Sequence, residues 1–169
     1  RADQLKPGLH LLALNQEGAE DIATYQNTTI TYRQPSSPLW VEQVTIFDEN
    51  KAYFVGLVLA DGHLVKDYGA KSSISCGHEK EAEEIARAVE AATGQRPFLL
   101  KLDNNNWRVS IPRVGVALCA AVGIPFGSKA KIVSIPQIVW KSPRSVQAAF
   151  LAGVTDGDGC IRRENLRLV

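Results

Sequence analysis

The sequence predicts an α+β protein, and three observations carry that expectation. Near residue 48 the pattern changes from alternating, turn-punctuated segments to helical apolar spacing. From there the elements follow the order αββαββα. The opening helix of that unit then recurs 97 residues further on.

Residues 1–46 read as short strands and turns. "LKPGLHLLAL" places a Pro-Gly turn before an apolar strand, "TTITYR" alternates, and "QPSSPLWVEQVTIF" runs from a Pro/Ser loop into a further strand. Asp48 then sits where an N-cap belongs, ahead of the apolar run "AYFVGLVLA", which stops at Asp61-Gly62. Strands are expected around 63–65 and 71–76, before a strongly amphipathic helix at 79–94. In that helix Ala82, Ile85, Ala86 and Val89 repeat at helical spacing, and Gly94 stands where a C′ terminator would.

"PFLLKL" and "WRVSI" flank Asp103-Asn104-Asn105-Asn106, a hairpin signature whose turn residues tolerate left-handed backbone. A shorter helix follows at about 113–122 and ends at Gly123. Residues 124–141 read as a Pro/Gly-punctuated linker, after which Ser142 is expected as an N-cap with Pro143 at the first helical position. The expected organisation is a β-rich segment at 1–46, one complete αββαββα unit at 47–141, and the opening helix of a second, incomplete unit at 142–169. A chain of this length, 45% hydrophobic and 22% charged, can bury a sizeable core.

Several function classes are disfavoured. No apolar stretch approaches the roughly 20 residues that span a bilayer, so no membrane partner is expected. Cys76, Cys119 and Cys160 lack zinc-ligand or disulfide-framework spacing, which suits a reduced, intracellular, cytoplasmic setting, and His10, His63 and His78 show no ligand or triad pattern. The net charge of +1 conceals an asymmetry: residues 1–100 hold 9 Lys/Arg against 14 Asp/Glu, residues 101–169 hold 10 against 4, so the halves carry −5 and +6. A basic face toward phosphates is compatible with such a distribution.

The chemistry is concentrated in the two repeated helices, "FVGLVLADG" at 54–62 and "FLAGVTDGDG" at 150–159. Gly56 and Ala60 in the first, and Gly153 and Gly157 in the second, lie four apart on one helical face and would let two backbones approach closely. Each helix-interior glycine costs roughly 1 kcal/mol relative to alanine, which argues for a compensating packing role. Asp61 and Asp158 end these helices, where the macrodipole disfavours a carboxylate by roughly 0.3–1 kcal/mol. If the helices pack in parallel, both carboxylates converge beside the backbone carbonyls of Ala60 and Gly157, an oxygen-rich site for Mg²⁺ or Mn²⁺. The plainer alternative is that Asp-Gly merely ends a helix in a turn. That suffices for one copy, but two copies must also share their lead-ins and their small-residue spacing.

These motifs resemble the paired signatures of double-motif LAGLIDADG homing endonucleases. "GIPFGSKAKIVSIPQIVWKSPRSVQAAFLAG" is similar to the approach to the second motif in the intein-encoded members, and "RADQLKPGLHLL" to a segment late in the N-terminal splicing part of inteins. Over residues 46–169 the resemblance implies two half-saddles, each a curved antiparallel sheet tracking the major groove of double-stranded DNA, with the motif helices as the seam. It implies Asp61 and Asp158 as catalytic metal ligands, with Lys129 and Lys131 as candidate assisting lysines or simply solvated linker residues. Many relatives carry a basic residue where this chain has Val133.

Lys101, Asn105, Asn106, Arg108 and Ser110 on the hairpin, and Arg162, Arg163 and Arg167 after the second motif, are the candidate DNA contacts. The acidic helix at 79–94 is expected to face away from DNA, and Trp40, Trp107 and Trp140 to lie in the core or at its boundary. The chain carries no splice-junction Cys or Ser at Arg1 and no His-Asn at Val169, so it reads as a fragment without splicing residues. The remainder of the same intein, or a second copy, is expected to complete the saddle. The functional expectation is metal-dependent, site-specific hydrolysis of double-stranded DNA; the alternative is a non-cleaving DNA- or RNA-binding scaffold of the maturase kind.

Overall fold

The computed structural model describes residues 24–34, 37–66, 71–102, 106–128 and 134–158. Two strands come first, β1 (Gln26–Arg33) and β2 (Trp40–Phe47), paired antiparallel with Gln26 opposite Phe47 and Arg33 opposite Trp40. Then follow α1 (Glu49–Asp61), β3 (Gly62–His63), β4 (Ser73–Cys76), α2 (Glu79–Thr93), β5 (Leu99–Lys101), β6 (Trp107–Ser110) and α3 (Arg113–Ala121). This is the αββαββα order, and its four strands form one antiparallel sheet in the order β3-β4-β6-β5. Two further helices, α4 (Gln137–Trp140) and α5 (Arg144–Asp158), complete the described fold.

Local chemistry accounts for the boundaries. Asp48 caps α1 by accepting the Lys51 amide at 3.0 Å, and its second oxygen takes the Lys51 ammonium at 2.6 Å. Helix α1 is apolar on nearly every side, so it must be enclosed rather than half-exposed; Ala52, Phe54, Val55, Leu57 and Val58 are all buried. Helix α2 buries only the stripe Ala82, Ile85, Ala86, Val89 and Ala92, and stops at Gly94 in left-handed conformation, φ 68°.

The core joins α1 to Ile74 and Val109 of the sheet, Val89 of α2, Leu118 of α3, and Val146 and Phe150 of α5. Ile30 of β1 and Phe47 of β2 enter the same cluster, and Arg113 at the start of α3 donates to the Arg33 carbonyl at 3.3 Å. The other face of the hairpin carries Trp40, Val44 and Ile46, all more than half exposed.

Three expectations require correction. The stretch 124–141 is not linker throughout, since Pro136 opens the one-turn helix α4, which buries Val139. Ser142 does not cap α5: its hydroxyl donates to the Ile138 carbonyl at 2.8 Å, closing the turn after α4, and the first α5 bond runs from the Gln147 amide to the Pro143 carbonyl at 3.0 Å. Of the three tryptophans only Trp107 packs against the core, whereas Trp40 and Trp140 are 58% and 52% exposed. Among the described residues, no helix is long and apolar enough to cross a membrane.

Candidate functional site at the paired helices

The two motif helices lie side by side in parallel. Near their N-terminal ends the Ser145 hydroxyl donates to the Glu49 carboxylate at 2.7 Å; near their C-terminal ends Gly157 stands against Ala60. Between these points Gly56 and Gly153 meet. A Cβ built on Gly56 would run into the Phe150 carbonyl and lie 2.9 Å from the Val154 nitrogen; one on Gly153 would run into the Tyr53 carbonyl and lie 3.0 Å from the Leu57 nitrogen. A Cβ on Gly157 would overlap that of Ala60. The glycines are there because backbone stands where a side chain would go, not for unusual dihedrals. Gly56 meets Gly153 and Ala60 meets Gly157, so the contacts repeat the 97-residue offset of the sequence.

Parallel, in-register packing brings the ends of both helices, Asp61 and Asp158, to one end of the seam. Asp61 is exposed, and one of its carboxylate oxygens lies 3.5 Å from where a Cβ on Gly157 would stand. The Asp158 side chain lies outside the described residues, as do Asn105, Lys129, Lys131, Arg162, Arg163 and Arg167. Gly62 is not a left-handed helix terminator. Its backbone is extended at φ −75° and ψ 146°, and a Cβ there would lie 2.6 Å from the Val58 carbonyl oxygen, so glycine lets the chain turn straight from α1 into β3.

Beside the seam is a cleft of about 260 Å³ lined by Tyr53, Leu57, Asp61, Ile74, Glu81, Glu84, Ile85, Asp156 and Gly157. Sequence reading singled out only Asp61 and Gly157 of these as site residues. The Tyr53 hydroxyl donates to Asp156 across the seam at 2.7 Å; burial first, and then that carboxylate, raise the phenol above its ordinary range and keep it a donor. The Cys76 thiol is pushed up to about 11, chiefly by burial and then by the negative fields of Glu81 and Asp61. Helix α2 packs on the α1 side of the sheet, yet Glu81 and Glu84 reach this cleft, and Glu81 accepts the Gly77 amide at 3.0 Å. Among the described residues no three His, Cys, Asp or Glu side chains are grouped to hold a metal. A hard divalent cation can be held by only one or two carboxylates together with carbonyl oxygens and water.

The sheet register separates the hairpin candidates. Arg108 lies opposite Ser75 and Ser110 opposite Ser73, and both alternate with Val109, which is buried under the helices. Arg108 and Ser110 therefore belong to the face away from the helices, joined by Ser75 and by His63, which pairs with Ser73. Alternation in "KSSISC" carried this signal for Ser75. The Ser110 hydroxyl oxygen accepts the Phe98 amide at 2.7 Å. Lys101 is a correction. It lies opposite Trp107, two residues from Val109, so it starts from the helix-side face, with its ammonium 5.7 Å from the indole centroid.

No family model matches the chain, and no curated protein matches it either.

Proposed function

We propose that this chain is the DNA-cleaving region of a LAGLIDADG-type homing endonuclease carried within an intein. In this reading it hydrolyses phosphodiester bonds of double-stranded DNA at a specific site, inside the cell, with Mg²⁺ or Mn²⁺ at Asp61 and Asp158. The observation that carries the reading is the parallel pairing of α1 and α5 in the 97-residue register, with each helix ending in its motif aspartate. A core helix has no need of a glycine-lined partner of matching sequence, nor of an acid at the end that its dipole disfavours. A bound divalent cation would offset that charge, and there it would activate a water and stabilise the leaving oxygen. The protein's own share is to hold the ends of the two motif helices together, and to present Arg108 and Ser110 on the open face of the sheet to a DNA groove. The remainder of the intein, or a second copy, supplies the rest of the saddle.

The test is cleavage by the full-length protein, with Mg²⁺, of plasmids carrying the uninterrupted host-gene sequence. Metal-dependent cutting that Asp61→Asn abolishes is expected; no cutting of any plasmid, with Asp61→Asn indistinguishable from wild type, refutes the reading. Val133, at the position that is basic in many relatives, favours a second reading as a non-cleaving DNA- or RNA-binding scaffold. Tight nucleic-acid binding without cleavage under any divalent metal would select it.

A further inference from the structure

We propose that the Tyr53–Asp156 hydrogen bond is the register key of the seam, fixing how far α5 stands along α1 and so holding the ends of the two motif helices level. For its consequence at the carboxylates the proposal rests on the endonuclease reading; the key itself does not.

The need for a key follows from how the helices touch. Gly56, Gly153 and Gly157 present backbone to the neighbour and Ala60 presents one methyl group. A seam of this kind allows close approach but has few interdigitating side chains to resist sliding, and a slip of one residue moves a helix end by 1.5 Å. Polar contacts across a seam are the usual means of fixing register. Polar contacts do cross this one. Ser145 to Glu49 ties the N-terminal ends; Tyr53 to Asp156, at 2.7 Å, ties the part nearest the motif acids. Tyr53 precedes Asp61 by two helical turns and Asp156 precedes Asp158 by two residues, so rigid helix joins each partner to its acid.

The pair is also one-sided. The 97-residue repeat makes Phe150 the equivalent of Tyr53 and Leu59 the equivalent of Asp156, and neither carries a polar side-chain atom. The bond therefore exists on one flank only, in the pairing of α1 with α5. Asp156 belongs to the second motif, and sequence reading passed over it because its partner lies 103 residues away.

The experiment uses the full-length protein and the variants Tyr53→Phe, Asp156→Ala, the two combined, and Asp156→Asn. Asparagine keeps a carbonyl oxygen to accept the phenol. The metal readouts are Mn²⁺ affinity without DNA and the Mg²⁺ concentration for half-maximal cleavage. A misplacement near 1 Å costs a reacting geometry about a hundredfold, so a partial loss of register is expected to weaken Mn²⁺ affinity and to raise the Mg²⁺ requirement, each by about tenfold, in Tyr53→Phe and in Asp156→Ala. The double variant should be no worse than either single one, and Asp156→Asn should stay close to wild type. Urea unfolding of the same set should show coupling between the two positions.

Unfolding without coupling overturns the key. So does Asp156→Asn matching Asp156→Ala while Tyr53→Phe leaves metal affinity unchanged, which would make Asp156 a charge acting for itself. If wild type cuts no DNA, the endonuclease reading fails alone, because coupling and Mn²⁺ affinity still decide the key.

Discussion

Gly153→Ala tests the seam most directly. The added methyl would run into the Tyr53 carbonyl and lie 3.0 Å from the Leu57 nitrogen. Both are backbone atoms of a buried helix that a rotamer change cannot move aside. Overpacking of this kind costs about 1–3 kcal/mol, and unyielding backbone puts it near the upper end. Against that, alanine recovers roughly 1 kcal/mol of helix propensity. The net expectation is a loss of about 2 kcal/mol, which in a protein of this size lowers Tm by about 4–8 °C. Gly77→Ala is the control, because the nearest atom to its Cβ is a flexible Glu81 oxygen at 4.0 Å. It should be neutral or slightly stabilising. Thermal unfolding by circular dichroism compares the two. A Gly153→Ala protein as stable as wild type would mean that the helices do not pack backbone to backbone.

Arg108→Ala should weaken DNA binding and reduce the slope of log K against log salt by about one phosphate contact, whereas Lys101→Ala, on the helix-side face, should leave the slope unchanged; binding titrations at several salt concentrations decide this. Because Cys76 titrates at about 11, its alkylation by iodoacetamide at pH 8 should be at least ~10-fold slower than that of a free cysteine, as measured on the Cys76 peptide by mass spectrometry. The same shift has a sign for stability: between the ordinary thiol value of 9.0 and about 11 the folded state holds a proton that the unfolded chain has released, so this contribution falls as pH rises through that window. Divalent metal should raise Tm. For a site half-filled at ~1 mM, ~10 mM Mg²⁺ adds about 1.4 kcal/mol, and a calorimetric shift equal in wild type and Asp61→Asn would place the ion elsewhere.

Much of this was legible because it is local. The Asp48 cap, the amphipathic stripe of α2 and the Gly94 stop are properties of short windows, and the structure has each of them. The closeness of Gly56 to Gly153 was legible for a different reason: a repeat reports a pair of surfaces even when it says nothing of the space between them. What escaped depends on register or on distant partners. Lys101 and Arg108 both look basic and strand-borne, and only the pairing of Lys101 with Trp107 and of Arg108 with Ser75 assigns them to opposite faces. Ser142 reads as a cap until Ile138 offers its carbonyl from the short helix before it. Tyr53 and Asp156 carry no joint signal in sequence at all.

The seam is costly by several local measures, and those costs have a common direction. Three glycines sacrifice helix propensity, α1 is apolar on nearly every side, and two acids end helices whose dipoles oppose them. Each would be relieved by an ordinary substitution: alanine for glycine, or lysine for the terminal aspartates. Relief at any one position would undo the same arrangement, because a Cβ at Gly56 or Gly153 separates the backbones and a lysine at 61 or 158 removes a donor from the point where the helices end. Residues that are individually unfavourable but jointly bring two helix ends to one place are what the proposed cation site would require, and stability alone does not account for them. The response of stability to divalent metal is a more basic measurement than cleavage, since an endonuclease and a non-cleaving scaffold that kept its metal would share it whichever nucleic acid lay against the sheet.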